Sequence, residues 1–293
     1  MKFYQSILVL LTLIISSHLM AGDEGRKVIY GKDNRIDVFE SRKSRLVELS
    51  KSTAAMIAAT DLRNVTNGLV KIGGKSLQGR GMCAKERFAK QPTAANCSGF
   101  LVSDKYLVTA GHCIENEVDC KNYKWVFDYK VDHSEQASVD VETNSIYSCA
   151  KIIERSLDGA TQDDYALIEL DRPVTDREPL KFRQRGKPLL NAPVVVIGHP
   201  TGLPTKIADG ANVRTHKDKY FIANLDTYGG NSGSAVFNAK SGVVEGILVR
   251  GENDYVYSSA DRCQVSNVCP DTGCRGEDVT YITNIAALKK IKN

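Results

Sequence analysis

Short apolar runs of strand length, separated by clusters of Gly, Asn, Asp and Pro, constrain this chain more than any other feature. Phe100-Leu101-Val102, Tyr106-Leu107-Val108, Val194-Val195-Val196-Ile197, Ala235-Val236-Phe237 and Ile247-Leu248-Val249 recur at a spacing that favours an all-β sandwich or barrel. Asn238-Ala239-Lys240-Ser241-Gly242, between two such runs, reads as a hairpin loop. Residues 41–61 contain good helix formers (Leu46, Glu48, Leu49, Met56) and read either as a short helix or as the lead into a first strand. In the tail, Ile285, Leu288 and Ile291 are spaced for one buried face, which predicts a short C-terminal helix. The polar stretch 175–192 lacks strand pattern and is the expected connection between two β units.

The N-terminus predicts where this fold forms. Met1-Lys2 carries a positive charge, an apolar run covers 7–15, and Leu19-Met20-Ala21 ends on a small residue. That is the layout of a secretory signal peptide over residues 1–21. The apolar run is well short of the ~20 residues a spanning helix needs, so no membrane association is expected after cleavage. Export to a periplasm or the medium makes the 8 cysteines disulfide candidates. They lack the paired Cys-x-x-Cys spacing of a zinc site, so no metal is expected. Lys+Arg 39 against Asp+Glu 35 gives only +4, without a basic run, and a nucleic-acid partner has no support. With 293 residues, 42% hydrophobic and 25% charged, the chain is neither disordered nor fibrous and holds one large or two small domains.

Three segments concentrate reactive side chains. They are Cys97-Ser98-Gly99-Phe100-Leu101 with Thr109-Ala110-Gly111-His112-Cys113, then Asp163-Asp164-Tyr165-Ala166-Leu167-Ile168, then Gly229-Gly230-Asn231-Ser232-Gly233-Ser234. A serine hydroxyl is a poor nucleophile at neutral pH, so Ser232 needs a base. His112 is the candidate, because an imidazole titrates near the working pH and can return the proton to a leaving amine. Asp164 would hold the ring in one tautomer and stabilise the imidazolium. The glycines before Ser232 allow a sharp turn, so that the N–H groups of Gly230 and Ser232 can point at a developing oxyanion. Strand alternation selects the aspartate. Positions 164, 166, 168 and 170 read Asp, Ala, Ile, Leu, an inward face, whereas 163, 165, 167 and 169 end on Glu169. Asp163 therefore reads as a surface carboxylate. His133, His199 and His216 have no partner spacing and read as structural.

In this order, His then Asp then Ser, the segments resemble the trypsin/chymotrypsin superfamily of serine proteases over residues 62–290. The resemblance implies an all-β fold of two six-stranded antiparallel barrels with the active site in the cleft between them. Residues 62–175 would form the first barrel, with His112 and Asp164. Residues 176–293 would form the second, with Ser232, the specificity pocket and the C-terminal helix. Residues 22–61 would be an N-terminal segment, with 22–27 as a candidate propeptide. The implied protein is a secreted, monomeric serine endopeptidase that cuts protein or peptide substrates through an acyl-enzyme, without a cofactor. As in the family, Cys97 and Cys113 are expected to pair. Cys83, Cys120, Cys149, Cys263, Cys269 and Cys274 remain unassigned, although a local pair among the last three is expected, with the third bonding elsewhere.

Some positions depart from the digestive enzymes. Asn231 replaces the Asp that pairs with a new N-terminal amine. Both 229–238 and Val28-Ile29-Tyr30-Gly31-Lys32-Asp33-Asn34-Arg35 are closer to bacterial glutamyl endopeptidases, which implies a cut after Lys27 that leaves Val28 as the mature N-terminus. Asp226 and Thr227 match the pocket bottom, and Asp226 favours Arg or Lys before the scissile bond. Val249, Arg250 and Gly251 match a pocket wall, although Arg250 also reads as a solvent-exposed rim residue. Leu248 stands where glutamyl-specific relatives place a His, and Tyr228 where many animal enzymes have a Cys. Acidic or neutral specificity, hydrolysis of small esters, and a non-catalytic binding homologue are the alternatives. The last usually lacks a triad member, and all three are present.

Overall fold

The computed structural model describes residues 28–64 and 67–291, so the signal peptide and Lys27 lie outside the described residues. Six strands form the first barrel: β1 (Thr53–Ala58), β2 (Ala95–Leu101), β3 (Tyr106–Thr109), β4 (Tyr123–Val126), β5 (Ile146–Leu157) and β6 (Asp164–Leu170). They close in the order β4-β5-β6-β3-β2-β1, with β1 returning to β4, and every pairing is antiparallel. Closure leaves no open edge. Trp125 fills the interior and is fully buried. Gly99 makes room for it, since a Cβ there would stand 2.7 Å from the indole.

The second barrel uses β7 (Pro193–Gly198), β8 (Lys206–His216), β9 (Tyr220–Ala223), β10 (Ala235–Asn238), β11 (Val244–Arg250) and β12 (Glu277–Tyr281). Their order is β7-β10-β11-β12-β9-β8, closed by the β7–β8 pairing. Side-chain alternation along β7 explains how the barrels join. Val194 and Val196 face the second barrel's own core, while Val195 and Ile197 join the larger core shared with first-barrel residues such as Leu101 and Leu167.

The ends of the chain differ from expectation. The first barrel takes its first strand from Thr53–Ala58, ahead of the expected boundary at residue 62. The stretch 41–61 is both things its sequence allowed, a helix α1 (Ser44–Ser50) followed by β1. A further short strand, Arg35–Asp37, pairs with β8 and so belongs to the second barrel's sheet. The tail is not an α-helix. Ile282–Asn284 and Ala286–Lys290 are 3₁₀ turns, with Leu288 N–H donating to Ile285 and Ile291 N–H to Leu288. A strict spacing of three is the 3₁₀ period, in which residues i and i+3 eclipse.

The cysteines pair as Cys83–Cys263, Cys97–Cys113, Cys120–Cys149 and Cys269–Cys274. The local pair is therefore 269–274, and Cys263 bonds across the molecule. Among the described residues no helix is long and apolar enough to cross a membrane.

Candidate active site

His112 sits on the turn that follows β3, and Asp164 opens β6. The antiparallel register Ala166–Thr109 brings these two strand ends together. Asp164 Oδ2 meets His112 Nδ1 at 2.8 Å, while Oδ1 accepts the N–H groups of Gly111 (2.6 Å) and His112 (3.1 Å). One carboxylate thus fixes both the ring and the backbone that carries it. Burial raises the Asp164 carboxyl. The hydrogen bond and charge of His112, followed by the Arg250 charge, outweigh it and hold the group below the usual carboxylate range. Asp163 points elsewhere: it is half-buried and accepts Asn284 Nδ2 at 2.7 Å.

Ser232 lies in a turn between Gly230 (φ +89°) and Gly233 (φ +86°), both left-handed. A Cβ on Gly233 would run into the Ser98 carbonyl and Thr109, so only glycine lets this turn sit against β2 and β3. The Ser232 carbonyl accepts the Ser98 N–H at 2.8 Å and lies 3.7 Å from Sγ of Cys113, the residue after His112. The turn carrying Ser232 and the turn carrying His112 are therefore packed together. Cys97, His112 and Cys113 place three donor atoms within 4.8 Å, but the two sulfurs are joined to each other and offer no thiolate to a metal.

The peptide preceding Gly230 is pinned from behind. Thr201 N–H donates to the Gly229 carbonyl at 2.5 Å, and in a trans peptide the N–H points opposite to the C=O. The Gly230 N–H therefore faces away from Thr201. Thr201 is itself left-handed (φ +53°), and its hydroxyl meets Tyr255 Oη at 2.7 Å. Ser98 Oγ donates to the Gly230 carbonyl at 2.9 Å and lies 3.0 Å from His199 Nδ1. Burial, then the Lys206 charge, pushes His199 down to about 3, so this ring is neutral. His199 is a prop beneath the Ser232 turn, a role its isolated position in the sequence did not signal.

Expected pocket residues divide into two groups. Asp226 is buried, and both its oxygens are occupied. Oδ1 accepts Tyr30 N–H at 2.7 Å and Oδ2 accepts Asn34 N–H at 2.8 Å. Burial pushes its carboxyl up to about 6, offset in part by these two bonds. In place of the expected pocket-bottom charge, it is an anchor for the N-terminal segment. Val28 is fully buried there, its carbonyl 3.4 Å from Thr227 N. Arg250 does not stand free at a rim, since Nη1 lies 3.5 Å from Asp164 Oδ2 and Nε 3.3 Å from Asp278 Oδ2. Val249 is buried, and Leu248 lies in the second barrel's core. The carboxylate beside Thr227 and Gly251 is Glu277. Thr227 Oγ1 donates to it at 2.6 Å, and a Cβ on Gly251 would run into it.

Two antiparallel barrels joined at a partly exposed His held by a buried Asp and at a glycine-flanked serine turn define a chymotrypsin-like serine protease architecture. Residues 97–247, just over half of the 293, match the family model of the trypsin-like peptidase domain, and the chain belongs to that family. No curated protein sequence matches the chain. Among solved structures, that of a Glu endopeptidase in complex with MPD matches with a TM-score of 0.52 and 16% identity. The match covers 90% of this chain and 100% of that one, and at this identity the likeness is one of fold.

Proposed function

We propose that the protein is a secreted serine endopeptidase in which Ser232, His112 and Asp164 form the triad. Supporting the reading above all is the Asp164 carboxylate, which holds His112 by ring and backbone beside the turn presenting Ser232. Ser232 Oγ attacks the scissile carbonyl carbon while its proton passes to His112 Nε2. The N–H groups of Gly230 and Ser232 stabilise the oxyanion of the tetrahedral intermediate, and the pinned Gly229 carbonyl favours that orientation. The C–N bond breaks as His112 protonates the departing amine, leaving the acyl-enzyme. Water then adds, gives its proton to His112, and the ester bond to Ser232 breaks with that proton returned to Oγ.

Residues 1–21 would direct export. Cleavage after Lys27 would leave Val28 at the start of the mature enzyme, consistent with a chain that from Val28 onward is threaded into buried contacts beside Asp226 and Thr227. A basic residue before the scissile bond is the preference that the family resemblance implies; the two carboxylates beside Thr227, Asp226 and Glu277, are both buried and hydrogen-bonded within the chain. Such a preference would let the enzyme cut its own Lys27–Val28 bond. A fluorogenic peptide panel varying the residue before the cut tests this, with Ser232→Ala as control. Turnover of Lys and Arg peptides that vanishes in the variant is expected. Equal turnover in the variant, or turnover of Glu peptides alone, contradicts the triad or the specificity respectively. N-terminal sequencing of the active secreted protein should read Val28, and a start at Gly22 would contradict the processing site.

A further inference from the structure

Arg250 touches the carboxylate that holds His112. Its Nη1 lies 3.5 Å from Asp164 Oδ2, the oxygen that also meets His112 Nδ1 at 2.8 Å. The guanidinium is braced on two other sides: Nε faces Asp278 Oδ2 at 3.3 Å, and Nη2 donates to the Gln162 carbonyl at 2.9 Å. Only 16% of the side chain is exposed, so water screens this charge poorly. Asp164 comes from the first barrel and Arg250 from the second, and the ion pair spans the junction between them.

We propose that Arg250 is a positioning residue that shares the Asp164 carboxylate with His112 and so limits how strongly that carboxylate stabilises the imidazolium. The proposal rests on the triad assigned above. A second cation on Asp164 weakens the stabilisation that the carboxylate gives to the imidazolium. The other charges facing this cluster are Asp163 on the preceding residue, Arg155, whose Nε donates to the Gly111 carbonyl at 2.7 Å, and Asp278, which Arg275 also holds at 2.5 Å. Asp278 partly neutralises Arg250. Removing Arg250 and removing Asp278 should therefore move the titration in opposite directions.

The acid limb of kcat/KM reports the essential base of the free enzyme. In Arg250→Gln this limb should move up by about one pH unit, and in Asp278→Asn it should move down by about half a unit. Arg250→Lys keeps the charge and should stay within about half a unit of the wild type. A merely structural role would lower activity at every pH with the limb in place. A substrate-contact role would raise KM with the limb in place. Either result overturns the proposal. If Arg250→Gln does not fold, the downward movement in Asp278→Asn carries the test, and an unmoved or rising limb overturns it. Labelling of wild-type Ser232 by a fluorophosphonate separates the two readings. No labelling means the triad is wrong, whereas labelling with an unmoved limb refutes only the role of Arg250.

Discussion

The Thr201 N–H donates to the Gly229 carbonyl at 2.5 Å, and this bond sets the face on which the Gly230 N–H lies. The donor comes from a residue held at φ +53°, a conformation that costs a β-branched side chain energy and persists because its surroundings impose it. Here those surroundings are the Tyr255 hydroxyl and Arg80, whose Nη1 donates to the Thr201 carbonyl at 3.0 Å. An aspartate before the nucleophile is not needed to hold this peptide in place. Asn231 instead turns inward, its Oδ1 accepting Ser234 Oγ at 3.2 Å.

Gly230→Ala should disable this arrangement without unfolding the protein. The new Cβ would stand 2.6 Å from the His199 carbonyl, and φ +89° disfavours any side chain. A displaced oxyanion donor lowers kcat by about 10²–10³-fold. Steady-state kinetics on a chromogenic ester should show that loss in kcat with little change in KM.

Asp226→Asn should loosen the N-terminal segment, because one of the Tyr30 and Asn34 N–H groups loses its acceptor. Chemical denaturation should show a cost of about 1–3 kcal/mol for Asp226→Asn.

His199 should govern part of the acid sensitivity. Its folded value of about 3 lies below the ordinary 6.5, so in acid the unfolded chain binds a proton that the folded chain refuses. The stability contributed is fully present above pH 6.5 and is lost as pH falls from 6.5 towards 3. In a Ser232→Ala background, which avoids autolysis, urea unfolding between pH 6.5 and 4 should cost wild-type His199 about 2–3 kcal/mol more than His199→Gln. Parallel pH profiles would contradict this.

Cys83–Cys263 joins the loop before β2 to the hairpin Tyr255–Ser258/Cys263–Ser266 across a separation of 180 residues. Replacing both by Ala should cost about 2–4 kcal/mol, more than losing Cys269–Cys274, which spans only 5. Calorimetry of the two double variants should give a larger fall in Tm for the first.

That His112 and Asp164 meet beside the Ser232 turn was legible because each residue sits in a short segment whose local chemistry is distinctive, and alternation along one strand separated Asp164 from Asp163. Roles set by distant partners were not legible. Asp226 has the spacing of a pocket carboxylate, yet the backbone of residues 30–34 occupies it. Glu277 reaches Thr227 only through the β9–β12 pairing, and Arg250 reaches Asp164 only once two barrels meet. The tail shows a local limit: one buried stripe suits two helix types, and the spacing of three belonged to the tighter one.

The most direct measurement is mass spectrometry of the protein quenched in acid during turnover of a slow ester or after reaction with a fluorophosphonate. The account predicts a single adduct on the peptide carrying Ser232, absent in Ser232→Ala and strongly slowed in His112→Ala. An adduct on another residue, or hydrolysis of peptides that persists undiminished in Ser232→Ala, would contradict it.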